Sequence, residues 1–66
     1  MNEELEIFMN LLDTHAEVYL NEIKQENAYE TAKSLIEAYR ASNREKQRIE
    51  YAKAIRTLYI VFGKGE

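Results

Sequence analysis

The chain has 66 residues, no cysteine, no proline and a net charge of −3 at neutral pH. A chain of this length buries only about 60% of its unfolded surface, so one copy has a small core. Without cysteine it has neither disulfide staples nor thiolate metal sites, a composition typical of a reducing cytosol. We therefore expect its stability to come from helix packing or from self-association, with no metal and no cofactor.

Nothing in the sequence predicts export or a membrane span. The N-terminal residues Glu3 and Glu4 are acidic, whereas a signal peptide begins with basic residues. The longest apolar run, from Leu58 to Phe62, is far shorter than the roughly 20 residues that a membrane helix needs. We predict a cytoplasmic protein with no membrane contact. Residue types with AT-rich codons outnumber those with GC-rich codons, which favours a bacterium or phage as its origin.

The first predicted element is a helix over residues 3–24. Its apolar residues recur at the 3.6-residue spacing of one helix face. Ile7, Leu11 and Val18 widen this face, as expected for a helix that packs against two neighbours. The residues that we predict to form an interaction face with another protein are Leu5, Phe8, Leu12, Tyr19 and Ile23.

The second predicted element is a helix over residues 28–41. The apolar stripe of the first helix stops after Ile23 and restarts at Ala28 on another side of the cylinder, which favours a turn at 25–27. Asn27 is followed three residues later by Glu30, a spacing that resembles a capping box.

The third predicted element is a helix over 45–62. Ser42 and Glu45 fit a capping box, which favours a turn at 42–44, and Gly63 stands where a C′ glycine belongs. The alternative is a helical hairpin with one long second helix. Helices of about 33, 21 and 27 Å pack together better than one of about 52 Å against one of about 33 Å. We therefore predict an all-α three-helix unit, paired as a dimeric helical bundle.

Charge is divided unevenly along the chain. Residues 1–32 carry eight acids and one lysine, a net charge of −7, whereas residues 33–66 carry eight bases and four acids, a net charge of +4. Within the later helices, Glu45/Arg48 and Glu50/Lys53 have the i, i+3 spacing of local ion pairs. The acids of the first helix have no such neighbours, so we expect this helix to lie beside the basic one, within the chain or across a dimer.

Residues 40–56 form a basic segment that could contact phosphates, and the interleaved Tyr39 and Tyr51 could stack on bases. The acidic first half and a pI of 5.2 disfavour this use of the segment. The basic residues that we predict for an anion or nucleic-acid surface are Arg40, Arg44, Lys46, Arg48, Lys53 and Arg56.

No catalytic constellation is evident. His15, the one histidine, is predicted to be half-buried on the packing face. Thr14 precedes it directly, and adjacent helix positions point about 100° apart, so the two side chains are not expected to meet. Both glycines lie in the last four residues, which leaves no glycine-rich phosphate loop.

These observations predict a small non-enzymatic protein that acts as an adaptor, regulator or inhibitor. It would bind another protein through a helical face and form a homodimer. The alternative is a nucleic-acid-binding regulator that uses the basic 40–56 segment.

Overall fold

The structure is a computed structural model in which residues 3–63 are described. They form three α-helices that all contact one another: α1 (Glu3–Asn21), α2 (Glu26–Ala41) and α3 (Glu45–Phe62). The predicted all-α three-helix unit is confirmed, and the break at 42–44 excludes the long second helix. No helix among the described residues has the length and apolar character needed to cross a membrane.

The core lies where the apolar stripes of the three helices meet. Its largest fully buried side chains are Leu12 from α1, Tyr39 from α2 and Ile55 from α3. A smaller cluster forms around Ile23, which packs with Ala28 and Ala32 of α2. Because alanine side chains are short, the turn after α1 can approach α2 closely.

Helix α1 is sharply bent in its second half. His15 has a non-helical backbone, with φ −140° and ψ 43°. The rings of Phe8 and Tyr19 meet edge to face with their centroids 4.9 Å apart, although eleven positions on a straight helix span about 16 Å. The two halves of α1, residues 3–14 and 16–21, therefore fold back so that their side chains meet.

Side-chain hydrogen bonds accompany this bend, in a segment that has neither proline nor glycine. Thr14 Oγ1 donates to the carbonyl of Asn10 at 2.9 Å, a back-bond that often bends helices. Arg40 Nη2 donates to the carbonyl of Leu12 at 3.1 Å, which in a straight helix would accept from the Ala16 N–H. A contact from α2 thus occupies a carbonyl beside the bend.

The first turn lies earlier than predicted. Helix α1 ends at residue 21 and α2 begins at residue 26, instead of at residues 24 and 28. The prediction of an Asn27 cap is wrong: Gln25 is the N-cap, and its Oε1 accepts from the Ala28 N–H at 2.6 Å. Ile23 belongs to the turn and is buried there. A longer amide side chain one residue outside the helix performs the capping, so α2 starts sooner.

The second turn lies where it was predicted, but its capping differs. Ser42 ends α2, and its N–H donates to the carbonyl of Ala38 at 3.0 Å. Its hydroxyl donates to Gln47 Oε1 at 3.0 Å and accepts from the Arg44 N–H at 3.4 Å, not from the Glu45 N–H as the predicted capping box requires. Arg44 is the N-cap of α3 and makes no side-chain capping bond.

Gly63 ends α3 as predicted, but for a different reason. Its φ of −77° is ordinary for any residue, so no left-handed C′ conformation is present. Its N–H donates to the carbonyl of Tyr59 at 2.7 Å. A Cβ atom at position 63 would lie 2.6 Å from Tyr59 Cδ1 and closer still to the Tyr59 carbonyl oxygen. Close approach to the preceding turn, and not backbone handedness, requires glycine there.

Candidate functional site

Arg48 connects all three helices at the turn between α2 and α3. Its guanidinium lies over the ring of Tyr39, with Cζ 4.1 Å from the ring centroid. Arg48 Nη2 donates to both carboxylate oxygens of Asp13 at 3.0 Å and to the Tyr39 hydroxyl at 2.9 Å. Arg48 Nη1 donates to the Tyr39 carbonyl at 3.2 Å. The central residue of the predicted basic segment is therefore bonded inside the bundle.

Tyr39 is the buried member of this network. It is 0% exposed, and its hydroxyl donates to the carbonyl of Met9 at 3.0 Å while it accepts from Arg48. Burial raises the pKa of Tyr39, and the nearby carboxylate of Asp13 raises it further. The hydrogen bond to Asp13 raises the pKa of Arg48. Both side chains thus keep their protons, and the hydroxyl stays a hydrogen-bond donor.

Ion pairs join α1 to α3 within one chain, as the uneven charge predicted. Asp13 pairs with Arg48 at 3.0 Å and Glu4 pairs with Arg56 at 3.3 Å. Among the described residues Arg48 forms no ion pair with Glu45, so the predicted local pair is wrong. The Tyr39 hydroxyl accepts from Arg48 Nη2, and in that position Nη2 reaches both carboxylate oxygens of Asp13.

The six residues of the predicted anion surface divide into two groups. Arg40 donates to the Leu12 carbonyl, Arg56 donates to Glu4, and Arg48 is bonded as described. These three arginines therefore hold the bundle together. The remaining side chains are exposed and make no hydrogen bond or ion pair among residues 3–63: Arg44, Lys46 and Lys53. Lys46 and Lys53 lie two turns apart on one side of α3.

An open cleft of about 250 Å³ lies beside the Arg48 network. Its walls carry three carboxylates, whereas Arg48 is its one basic side chain and is already bonded to Asp13. The cleft therefore favours a positively charged group over a phosphate. The residues that line it are Glu6, Met9, Asn10, Asp13, Tyr39, Glu45 and Arg48.

Most of the predicted interaction face lies in the core of the same chain. Leu5, Phe8, Leu12 and Ile23 are buried. Tyr19 is half-buried between Phe8 and Tyr59, whose ring centroid lies 4.8 Å from its own. A docking role for these residues stays a prediction, and it requires the bundle to open.

Two tyrosines of this region have raised pKa values. Burial raises the pKa of Tyr19, and the charge of Glu22 adds to the effect. The Tyr59 hydroxyl donates to Glu22 Oε1 at 2.8 Å, and this hydrogen bond raises the pKa of Tyr59.

Apolar side chains that sequence reasoning assigned to packing lie in solvent. Ile7, Leu11 and Val18 were expected to pack against neighbouring helices, but each is at least 37% exposed. The prediction fails because α2 and α3 cover only the central stripe of α1. Ile60 and Val61, at the end of α3, are exposed as well, and so is Phe62. The only available signal was that Ile7, Leu11 and Val18 lie off the main 3.6-residue stripe.

His15 is exposed, and it contacts Thr14 although neither feature was predicted. Its Nδ1 lies 2.9 Å from Thr14 Oγ1, because the regular 100° spacing of side chains is lost at the bend. The Thr14 hydroxyl gives its one proton to the Asn10 carbonyl, so His15 Nδ1 must be the donor. A base that activates a nucleophile accepts that proton instead. The pair therefore does not activate Thr14.

Comparison with known proteins identifies no relative: no protein-family model, no curated protein and no solved structure matches the chain.

Proposed function

We propose that the chain is a small non-enzymatic protein–protein interaction module that docks through exposed apolar side chains of α1 and functions as a homodimer. The observation that carries this proposal is the exposure of Ile7 and Leu11, one helical turn apart on a helix whose other face is already buried. Single exposed apolar residues are normal. Neighbouring ones that the core does not use are typical of contact surfaces.

The rest of the molecule supports this assignment because Ile7 and Leu11 belong to neither of the two buried apolar clusters and are not among the half-buried side chains that pack against them. Among the described residues, no buried side-chain nitrogen or oxygen lacks a hydrogen bond. The bundle joins its helices through Tyr39, Arg40 and Arg48, none of which contributes to the exposed apolar surface. Burial of that surface against a partner would contribute about 25 cal/mol per Å².

Site-specific photo-crosslinking tests docking directly. A photoreactive amino acid at position 11 is compared with one at position 31, since Thr31 is exposed on α2 and lies outside the apolar surface. In the cells that produce the protein, we expect a defined protein adduct from position 11 and none from position 31. Equal labelling at the two positions, or no adduct from position 11, would contradict the proposal.

Nucleic-acid binding is the alternative function, supported by the exposed side chains of Arg44, Lys46 and Lys53. It predicts an affinity that falls steeply with salt and that Arg44→Glu weakens. Titration of duplex and single-stranded probes at low salt distinguishes the two. We expect that neither probe binds. Salt-dependent binding that Arg44→Glu abolishes would instead show that the chain is a nucleic-acid-binding regulator.

A further inference from the structure

We propose that a second copy of this chain docks across the seam between α1 and α3, so that α1 of each copy lies on α3 of the other. The α1/α3 seam is the line of contact that the Glu4–Arg56 ion pair crosses. This inference rests on the proposed function and names its partner and its two contact surfaces.

The seam opens to solvent at the Glu4–Arg56 pair. The side chain of Arg56 is 37% exposed and that of Glu4 is 79% exposed, so the pair marks the rim of the interface between the helices. Asp13 pairs with Arg48 farther along the same two helices. Residue numbers rise on α1 as they fall on α3, and the first half of α1 therefore runs antiparallel to α3.

The outer surface of α1 adjoins this rim. Ile7 and Leu11 follow Glu4 by three and seven positions, spacings that place the three side chains along one side of the helix. Both are exposed, whereas Leu5 and Phe8 point into the core. An apolar row therefore lies immediately outside the seam on its α1 side.

The outer surface of α3 adjoins the same rim from the other side. Lys53 precedes Arg56 by three positions and Ile60 follows it by four, which places them next to Arg56 on one side of α3. Lys46 continues this row two turns before Lys53. These three side chains are exposed. The α3 surface is therefore basic along its length and apolar at its C-terminal end.

The α1 surface, on an acidic helix, and the basic α3 surface can contact each other in a symmetric dimer. A two-fold axis parallel to the seam places α1 of one copy on α3 of its partner, and the reverse contact forms at the same time. Because Glu4 is level with Arg56 and the helices run antiparallel, Ile7 would then meet the aliphatic stem of Lys53, and Leu11 would lie between the stems of Lys53 and Lys46. Contact of α1 with α1 would instead place two acidic surfaces against each other, since residues 1–32 carry a net charge of −7.

The first experiment is sedimentation equilibrium of the full chain over a concentration series. We expect a reversible dimer that Leu11→Lys weakens about tenfold or more, because it places a third cation against Lys46 and Lys53, whereas the matched control Thr31→Lys on α2 leaves its dissociation constant unchanged. Far-UV circular dichroism shows that both variants keep their helices. A wild-type chain that is monomeric throughout would overturn the second copy as the partner. An adduct to another protein from position 11 would in that case still support docking through α1, but without the homodimer.

The arrangement of the two copies is tested by disulfide trapping, which is clean because the chain has no cysteine. Ile7→Cys and Lys53→Cys chains are mixed under mild oxidation, with Thr31→Cys as the control. Because residue 7 of one copy faces residue 53 of the other, we expect the mixed 7–53 disulfide to form at least several-fold more than either homodisulfide. Dominant 7–7 linkage would overturn the α1-on-α3 arrangement while leaving a dimer in place.

Discussion

Removal of one hydroxyl from the buried Tyr39 tests the central polar network. In Tyr39→Phe the ring stays, and so does the stacking of Arg48 on it, but the hydroxyl loses its bonds to the Met9 carbonyl and from Arg48 Nη2, at 3.0 and 2.9 Å. A buried hydrogen bond contributes about 0.5–1.5 kcal/mol, and one to a charged group somewhat more. Arg48 keeps its bonds to Asp13. We therefore expect Tyr39→Phe to lower the free energy of unfolding by about 1–3 kcal/mol.

The assay is urea unfolding at neutral pH, followed by far-UV circular dichroism at one fixed chain concentration, because self-association would shift the midpoint. Tyr51→Phe is the matched control: Tyr51 is half-buried, and its hydroxyl makes no hydrogen bond among the described residues. We expect the control to change the free energy of unfolding by less than about 0.5 kcal/mol. Equal losses in the two variants would refute the role of the hydroxyl.

A double-mutant cycle then tests whether Tyr39 and Arg48 act together. Tyr39→Phe and Arg48→Lys are measured singly and combined. Since Arg48 donates to both the hydroxyl and the carbonyl of Tyr39, we expect a coupling of more than about 0.5 kcal/mol. Simple additivity would show that the two residues contribute independently.

Three further predictions use the same unfolding assay. Arg40→Ala should cost about 1 kcal/mol because Arg40 donates to the Leu12 carbonyl, whereas Arg44→Ala should be nearly neutral; equal effects would contradict a role for Arg40 at the bend. Gly63→Ala should cost about 1–3 kcal/mol because the new Cβ would collide with Tyr59, and a neutral result would disprove that close approach. Folding raises the pKa values of three tyrosines above 10.0: those of Tyr19, Tyr39 and Tyr59. The stability that these tyrosines contribute should therefore be fully present below about pH 10 and be lost as pH rises through their folded-state pKa values. Tyr39→Phe should reduce the loss above about pH 10, and an unchanged loss would exclude Tyr39 as a contributor.

The sequence by itself determined the helices and the position of the second turn. Helix formation and the 3.6-residue apolar spacing are local properties, which is why a break at 42–44 and an end at Gly63 could be predicted. The first turn was misplaced by a few residues because capping by Gln25 depends on one side-chain conformation that its residue type does not reveal.

Only the tertiary structure decided the bend of α1 and the role of each charged or apolar surface. His15 lies in a segment without helix breakers, and contacts made by Thr14 and by Arg40 from α2 accompany its departure from helical geometry. Arg48 binds a carboxylate 35 positions away in preference to its helical neighbour. Periodicity gives the direction in which a side chain points on its own helix, but not which surfaces meet. For that reason the stripe predicted to bind a partner became the core, and Ile7 and Leu11 were left exposed beside it.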